Sequence, residues 1–381
     1  MAVCSEKRQV REVDTIEQMV VPGPPGREPP LPPERRWKSL PRVLAAMIVV
    51  LLLLAGAGVT LPYFALAPGS ARQVNDLIRV PQTKAFPPQG KVFLATVSLR
   101  QVTPLGALRG WLDRDIDVVP EERILGSTPR RRFSHENVQL MDDSKEIAVV
   151  VALRRLGFAV PEQGKGALVV DVERKSPADG RLSQGEVITG VDGVPTPLAE
   201  RVVEALRRHR PGEAVRLDVQ GVGGAPRTET VVLTSRPQGE GGFLGVFLRT
   251  KEQRFEFPFD VTIDSGAIGG SSAGLAFTLG VIDTLTSGEL TGGNKVAVTG
   301  TIELDGRIGD VGGVAQKAAA VRAAGAELFL VPPGEFAEAV AHAGRRVRVM
   351  KVANLDEALS ALAGAGGDVT ALGRGRPPAR G

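Results

Sequence analysis

The hydrophobic and polar positions divide the chain into an apolar segment near the N-terminus and a longer mixed region after it. The apolar segment, Val43 to Leu61, contains no charged residue, and Pro62 follows it. A helix rises about 1.5 Å per residue, so this length nearly matches a hydrocarbon core of about 30 Å. The pattern predicts one N-terminal transmembrane helix over residues 42–62.

Basic residues indicate how this helix is oriented. Four of them lie directly before it, namely Arg35, Arg36, Lys38 and Arg42, whereas the next one after it is Arg72. The positive-inside rule then predicts a single-pass protein of the cell membrane, with a cytoplasmic N-terminus and an extracytoplasmic catalytic part. A cleavable signal peptide is the alternative, since Ala55-Gly56-Ala57 resembles a cleavage site. Signal cores usually span about 7–15 residues, which favours the anchor.

Beyond residue 62, alternating apolar positions indicate strands, and three-to-four spacing indicates helices. The predicted strands lie at residues 90–97, 166–172, 215–219, 228–234, 255–263, 295–304, 328–331 and 347–352. The predicted helices lie at residues 145–156, 197–209, 273–285, 313–324, 335–343 and 355–363. This order predicts an α+β fold, long enough for two domains with separate cores.

Composition narrows the function further. Residues 1–41 are proline-rich and residues 365–381 are rich in glycine and arginine, so we predict a disordered cytoplasmic tail and a second disordered tail. The proline run is alternatively an extended ligand for an aromatic groove. Cys4, the single cysteine, precedes the apolar segment, and no zinc-binding motif occurs. Without such a motif we expect no metal and no cofactor. The net charge is only +4, so we expect no nucleic-acid partner.

A candidate nucleophile lies in the glycine-rich stretch Gly269-Gly270-Ser271-Ser272-Ala273-Gly274. The glycines allow a tight turn, and the predicted helix 273–285 begins directly after Ser272. Unpaired N–H groups at a helix N-terminus can stabilise the oxyanion of an acyl-transfer intermediate. A serine that only caps the helix fits the same pattern, so this element alone leaves both interpretations open.

A candidate base lies on the predicted helix 313–324. Lys317 shares one helix face with Val314, Ala318 and Val321, although charged lysines are seldom buried. Burial lowers the pKa of a lysine, and a neutral amine can take the proton of a serine. A lysine whose ammonium reaches water is the alternative. The pairing with Ser272 favours a serine–lysine hydrolase.

These residues resemble the proteolytic domain of Lon proteases. The matching stretches are residues 257–274, 299–306 and 309–320, with 90–97 and 141–156 similar to the opening strands and first long helix. The resemblance implies that Ser272 is the nucleophile, Lys317 the catalytic lysine and Thr299 the residue that orients it. Gly269-Gly270-Ser271 replace the usual Asp-Gly-Pro, which leaves Ser271 as a rival nucleophile.

The residues between 158 and 237 resemble a PDZ domain of the bacterial protease type, inserted into the Lon-like domain. Gly185-Glu186-Val187-Ile188 and Val191-Asp192-Gly193 carry this similarity. Such domains bind an extended peptide at a sheet edge and hold its terminal carboxylate in backbone N–H groups. The resemblance implies Leu156-Gly157-Phe158-Ala159 as the carboxylate loop and helix 197–209 as the wall of the groove. A small β-rich spacer without a ligand is the alternative.

These patterns together predict six parts of the chain: a tail (1–41), a transmembrane helix (42–62), the first part of the Lon-like domain (70–157), a PDZ domain (158–237), the Lon-like catalytic part (238–364) and a tail (365–381). The resemblance implies a membrane-anchored bacterial serine endopeptidase that cleaves proteins or peptides. No ATP-binding Gly-x-x-x-x-Gly-Lys-Ser/Thr motif occurs in these residues, so we expect ATP-independent proteolysis. Lon-type domains tend to form rings, which implies a homo-oligomer.

Two other functions remain open from the sequence. The first is a PDZ peptide-binding scaffold whose protease domain is inactive. The second is an α/β-hydrolase-type esterase, because Gly270-x-Ser272-x-Gly274 fits the Gly-x-Ser-x-Gly elbow. That fold needs a strand directly before the elbow, and His342 is the only histidine after it.

Overall fold

A computed structural model of the protein describes residues 42–48, 59–81, 85–86, 88–235 and 241–370. Residues 42–48 form helix α1. The predicted transmembrane helix lies partly outside the described residues. The predicted tail at 1–41 and residues 371–381 lie entirely outside them. In the described ranges, no helix is both long and apolar enough to cross a membrane.

The region before the inserted domain contributes four strands and three helices. They are β1 (Tyr63–Gln73), β2 (Ile78–Arg79), β3 (Lys91–Gln101), β4 (Asp117–Pro120), α2 (Pro104–Leu112), α3 (Glu121–Leu125) and α4 (Arg130–Arg155). Helix α4 begins fifteen residues before the helix predicted at 145–156. Its first turns, Arg130 to Glu136, are largely polar and exposed, so apolar spacing marks only the buried C-terminal half.

The inserted domain is a sheet with one helix and its own hydrophobic core. Its elements are β6 (Ala167–Val172), β7 (Val187–Val191), β8 (Val194–Pro195), α5 (Ala199–Arg207), β9 (Ala214–Gln220), β10 (Pro226–Val232), β11 (Thr234–Ser235), β12 (Gly242–Phe243) and β13 (Val246–Thr250), flanked by β5 (Glu162–Gln163) and β14 (Arg254–Phe255). The strand order is β10-β9-β7-β6-β13, with β8 beside β7. Val169, Ile188 and Leu217 lie in a core separate from that of the flanking region.

The inserted sheet extends beyond the boundary predicted at residue 237, because β13 pairs antiparallel with β6 and completes the sheet. The chain enters and leaves this domain side by side, since β5 pairs with β14 directly outside it. A single strand predicted at 255–263 is also replaced by β14 and the short β15 (Thr262–Ile263). Apolar residues alternate throughout this stretch, but Pro258 has no backbone N–H to donate to a neighbouring strand and interrupts it.

The part of the chain after the inserted domain supplies the remaining elements. They are α6 (Gly274–Leu285), β16 (Lys295–Val298), β17 (Thr301–Ile302), β18 (Ile308–Gly309), α7 (Val314–Ala323), β19 (Leu328–Val331), α8 (Phe336–Ala343), β20 (Arg348–Lys351) and α9 (Leu355–Gly364). Residues 365–370 follow in an ordered turn, since Asp368 N–H donates to Glu289 C=O at 2.9 Å. The predicted tail therefore does not include them.

One six-stranded sheet, in the order β20-β19-β16-β3-β1-β4, joins the two parts of the flanking region. β3, β16, β19 and β20 are parallel, while β1 is antiparallel to β3 and β4. Along β19, Leu328 and Leu330 enter the core with α4, α6 and α9, whereas Phe329 and Val331 pack with α7 and α8. Helices thus cover both faces of a mixed sheet, which explains why β19 is apolar at every position.

Candidate active site

The serine turn lies between helix α4 and the start of helix α6. Gly270 adopts a φ of +88°, and its N–H donates to Asn137 C=O at 2.9 Å. A Cβ at Gly269 would lie 3.2 Å from Asn137 Cβ, closer than side chains usually pack. Both glycines therefore let the turn close against α4, although they contribute no side chain to chemistry.

Ser272 is fixed through its backbone. Its C=O accepts a hydrogen bond from Gly300 N–H at 3.1 Å and a longer one from the Thr299 hydroxyl at 3.5 Å. Ala273 is the N-cap of α6 and provides no side-chain cap. Among the described residues, neither Ser272 N–H nor Ala273 N–H donates a hydrogen bond. These two groups are therefore available to an oxyanion at the helix N-terminus.

Ser271 is held differently from its neighbour. Its C=O accepts hydrogen bonds from the Ser144 hydroxyl at 3.1 Å and from Gly274 N–H at 3.3 Å. Both serines line the same cavity, so exposure alone does not separate them. The contacts that separate them are those of Ser272 with Thr299 and Gly300.

Lys317 is buried, with 3% of its surface exposed. Its Nζ donates to Thr299 Oγ1 at 3.1 Å, and Thr299 itself is fully buried. Burial lowers the pKa of Lys317 to about 8, while the carboxylate of Glu335 opposes this shift. A useful fraction of the amine is therefore neutral near physiological pH, as a base requires.

Thr299 connects the two candidate catalytic residues, because its hydroxyl contacts both Lys317 Nζ and the Ser272 carbonyl. Lys317 Nζ and Ser272 Oγ form no direct hydrogen bond in the described structure. Catalytic hydrogen bonds are often loose before a substrate binds, so this geometry is compatible with proton transfer in a complex. Ser272 and Lys317 line one cavity of about 920 Å³.

Glu335 is a charged neighbour of the site that the sequence analysis missed. Its Oε1 accepts a short hydrogen bond from Val311 N–H, and its buried Oε2 has no partner among the described residues. Burial raises the pKa of Glu335, with smaller opposing effects from Val311 N–H and Lys317. The order of the strands could have predicted this neighbour. β16 and β19 are adjacent and parallel, so Thr299 and Glu335, which follow them, lie at the same edge of the sheet.

The rest of the cavity is an extended slot along the sheet. It is lined by residues 68–70 of β1, residues 94–98 of β3, and the cations Arg72 and Arg100. β1 is irregular between Pro68 and Ala71, where its pairing with β3 shifts register. In the described part of the chain, no group of histidine, cysteine and carboxylate side chains could hold a metal ion.

The predicted carboxylate loop, Leu156 to Ala159, does not lie in a peptide groove. Leu156 and Phe158 pack with the core of the flanking region, where Phe158 contacts the ring of Phe259 edge-on at 5.3 Å. Gly157 N–H donates to Arg154 C=O, and Phe158 N–H donates to Leu153 C=O. These N–H groups end helix α4, so they are not free to bind a carboxylate.

A groove of the inserted domain lies instead between helix α5 and strand β13. It is lined by Val203, Leu206, Gly242, Phe243, Leu244, Gly245, Val246 and Leu248. Helix 197–209, predicted as the wall, is present as α5. β13 is an edge strand, and within the described residues Leu244 N–H and Gly245 N–H donate no hydrogen bond. The sequence Gly242-Phe243-Leu244-Gly245 was the signal that could have located this loop.

The esterase alternative is not supported by this geometry. A Gly-x-Ser-x-Gly elbow requires a strand that runs directly into the serine turn. Here residues 264–273 contain no strand, and β15 ends nine residues before Ser272.

Comparison with known proteins identifies both parts of the chain. Residues 249–363 match the Lon protease (S16) C-terminal proteolytic domain, and residues 154–230 match the PDZ domain. The Lon protease of Desulfatibacillum aliphaticivorans is 27% identical over an alignment of 126 residues that covers 30% of this chain. The chain spans about 15% of the length of that relative. A Lon-type proteolytic domain and a PDZ domain are thus found in a mixed α/β fold, which supports a peptidase.

Solved structures that are similar to the chain cover the inserted domain. The PDZ domain of the SdrC-like protein from Listeria monocytogenes is 21% identical and covers 22% of this chain and 87% of its own, with a TM-score of 0.21. A protein from Geobacillus thermodenitrificans is 32% identical over 19% of this chain and 83% of its own, with a TM-score of 0.18.

Proposed function

We propose that the protein is a membrane-anchored, ATP-independent serine endopeptidase that cleaves extracytoplasmic proteins or peptides with a Ser272–Lys317 dyad. The observation that carries this proposal is the buried amine of Lys317, bonded to Thr299 in the cavity that also contains Ser272. The apolar segment 43–61 supports the anchor, and the PDZ domain supports recognition of a peptide.

The reaction begins when neutral Lys317 Nζ takes the proton of Ser272 Oγ. The hydroxyl oxygen attacks the scissile carbonyl carbon, and the N–H groups of Ser272 and Ala273 stabilise the oxyanion that forms. Collapse of this intermediate breaks the peptide bond, and the Lys317 ammonium gives its proton to the leaving amine. A water molecule gives a proton to Lys317 Nζ and attacks the carbonyl of the acyl-enzyme. The Lys317 ammonium then returns a proton to Ser272 Oγ as the ester bond breaks.

Thr299 acts as a positioning residue in this scheme. Its hydroxyl oxygen accepts a hydrogen bond from Lys317 Nζ, and the same hydroxyl donates to the backbone C=O of Ser272. The amine is thereby kept beside Ser272 Oγ, whereas a free lysine side chain would lose much of this orientation.

We expect the purified full chain, in detergent micelles, to cleave unfolded casein without any nucleotide. The chain carries no Walker-type motif in its 381 residues, so no phosphate-binding loop couples hydrolysis to proteolysis. Fragments are measured by gel electrophoresis with and without ATP and Mg²⁺, and Ser272→Ala serves as the control for contaminating protease. Cleavage that requires ATP would contradict the proposal.

The PDZ domain is proposed to capture substrate tails by β-strand addition to β13. The free N–H groups of Leu244 and Gly245 would receive the terminal carboxylate, and the apolar groove would take the last side chain. Val203→Glu is expected to weaken binding of a labelled peptide ending in three valines by at least about tenfold, because it places a charge against this groove. Fluorescence anisotropy measures the affinity.

The matched control is Val232→Glu, an exposed position on β10 at the opposite edge of the same sheet. This variant should bind the peptide as tightly as the parent does. A peptide with an amidated C-terminus should bind to neither the parent nor this variant. If Val203→Glu binds normally, the groove between α5 and β13 is not the peptide site.

A further inference from the structure

Helix α2 carries an apolar face whose large side chains are all more than half exposed in the part of the chain that the structure describes. Its large side chains are Leu105, Leu108, Trp111 and Leu112, which are 51%, 52%, 83% and 72% exposed. At 100° per residue these four positions form one continuous side of the helix. Large exposed apolar patches of this kind usually mark an interaction surface.

The opposite side of α2 is fixed to the protein. Gly110 is buried against β4, where a Cβ would come within 2.4 Å of Val118 Cγ2. The Thr103 side chain caps the helix by accepting from Gly106 N–H at 3.2 Å. The helix is therefore a packed and capped element, and its apolar face is directed outward by that packing.

The position of α2 connects it to the apolar segment. Leu61, the last residue of that segment, donates its N–H to Val102 C=O at 2.8 Å. Gln101 Nε2 donates to Leu61 C=O at 3.4 Å, and Val102 N–H donates to Tyr63 C=O at 3.0 Å. Helix α2 thus begins within two residues of the point where the apolar segment joins the folded domain.

We propose that α2 lies in the membrane–water interface, with its apolar face inserted between the lipid headgroups. This proposal rests on the anchor described under the proposed function, because the anchor brings Leu61 to the bilayer surface. Tryptophan and leucine are the residues that interfacial helices insert, with the helix axis parallel to the membrane. A second copy of the chain is the rival occupant. The bilayer is favoured because Leu61, at the end of the proposed anchor, bonds to Val102 just before α2.

Charge beside the apolar face indicates how the helix would bind. Arg109 and Arg114 line the shallow hollow of about 720 Å³ next to the leucines, together with Asp113. The net charge of these three side chains is only +1, so the attraction to the membrane comes mainly from burial of apolar area. The helix should therefore bind to a bilayer of neutral lipid. Long arginine side chains can reach the headgroups while their stems lie on the apolar surface.

Trp111 makes this proposal measurable, because Trp37 is the only other tryptophan in the chain. The full chain carrying Trp37→Phe is reconstituted into phosphatidylcholine vesicles, and its emission is compared in vesicles that contain brominated phosphatidylcholine. We expect Trp111 to emit at shorter wavelength than in water and to lose about half of its intensity to the brominated lipid. Iodide in the buffer should quench it weakly.

The matched control replaces Leu105, Leu108 and Leu112 with serine in the same background. These positions are exposed, so circular dichroism and casein cleavage should be unchanged, while Trp111 should become sensitive to iodide and insensitive to brominated lipid. If Trp111 of the Trp37→Phe parent is also sensitive to iodide and insensitive to brominated lipid, the proposal is overturned. If instead Trp111 is shielded from both quenchers, and more so at higher protein-to-lipid ratios, a second copy covers this face. That result would also overturn the proposal.

Flotation of the vesicles separates this proposal from the anchor. A chain that floats with the vesicles but keeps Trp111 in water retains the anchor and loses the interfacial helix. A chain that does not float has no inserted anchor, and both ideas then fail together.

Discussion

Replacing Ser272 with alanine is expected to lower kcat/KM for peptide hydrolysis by at least about 10³-fold, as the loss of a nucleophile does in other serine hydrolases. Ser271→Ala should retain most of the activity. The reason is that Ser272, not Ser271, has its backbone bonded to Thr299 and Gly300, and Thr299 also contacts Lys317. Hydrolysis of a fluorogenic peptide by the detergent-solubilised full chain provides the measurement.

Two further observations control this comparison. A fluorophosphonate probe should label the parent and Ser271→Ala but not Ser272→Ala, and circular dichroism should show that all three are folded. Inactivity of a folded Ser271→Ala protein, with Ser272→Ala still active, would assign the nucleophile to the other serine. A parent that is not labelled and cleaves nothing would favour the inactive PDZ scaffold.

Local sequence features predicted much of the catalytic part, because its elements are apolar and end in recognisable turns. α6 and α7 were expected at 273–285 and 313–324 and lie at Gly274–Leu285 and Val314–Ala323. The burial of Lys317 was also expected, although the whole stretch Val314 to Val321 is buried and not one helix face alone. Because α6 and α7 are both buried nearly all round, a single apolar face does not describe their packing.

Features that depend on distant pairing could not be predicted in the same way. β13 completes the inserted sheet by pairing with β6, about eighty residues earlier in the chain, so the sheet extends beyond the boundary predicted at residue 237. Leu156 to Ala159 combine glycine with apolar residues, as a carboxylate loop does, but their N–H groups end helix α4. Glu335 approaches Lys317 only because β16 and β19 are neighbours.

Replacing Lys317 should show the role of its amine most directly. Lys317→Arg is expected to be inactive, with a loss comparable to that of Ser272→Ala, because a guanidinium does not deprotonate in the working pH range. Lys317→Met should be equally inactive although it fits the apolar surroundings. Peptide hydrolysis measures both losses, and substantial activity of the arginine variant in a preparation free of other proteases would exclude the dyad mechanism.

The pH dependence of the parent follows from the lowered pKa of Lys317. Activity should rise with pH through about 8, since only the neutral amine can accept the serine proton. The Glu335 carboxylate raises this pKa, so Glu335→Gln should move the midpoint to lower pH. Asp310 and Glu338 are the other acidic groups that act on Glu335. Glu338→Gln is the matched control, and it should leave the midpoint nearly unchanged.

Stability should respond to pH in the same direction. The folded pKa of Lys317 is about 8, below the value near 10.4 of an unfolded lysine. Between these values the unfolded chain binds more protons, so the free energy of unfolding rises with pH across this window. Below pH 8 the buried ammonium costs about 3 kcal/mol, partly offset by the roughly 1 kcal/mol of its hydrogen bond to Thr299.

Lys317→Met removes this buried charge and should therefore be on the order of 1–2 kcal/mol more stable than the parent at pH 7. Its stability should also lose the rise between pH 8 and 10, as followed by urea denaturation in detergent. An inactive but stabilised variant would show that the protein retains a destabilising lysine for its chemistry. If the methionine variant is less stable at pH 7 and keeps the pH dependence, the ammonium is not buried as the structure indicates.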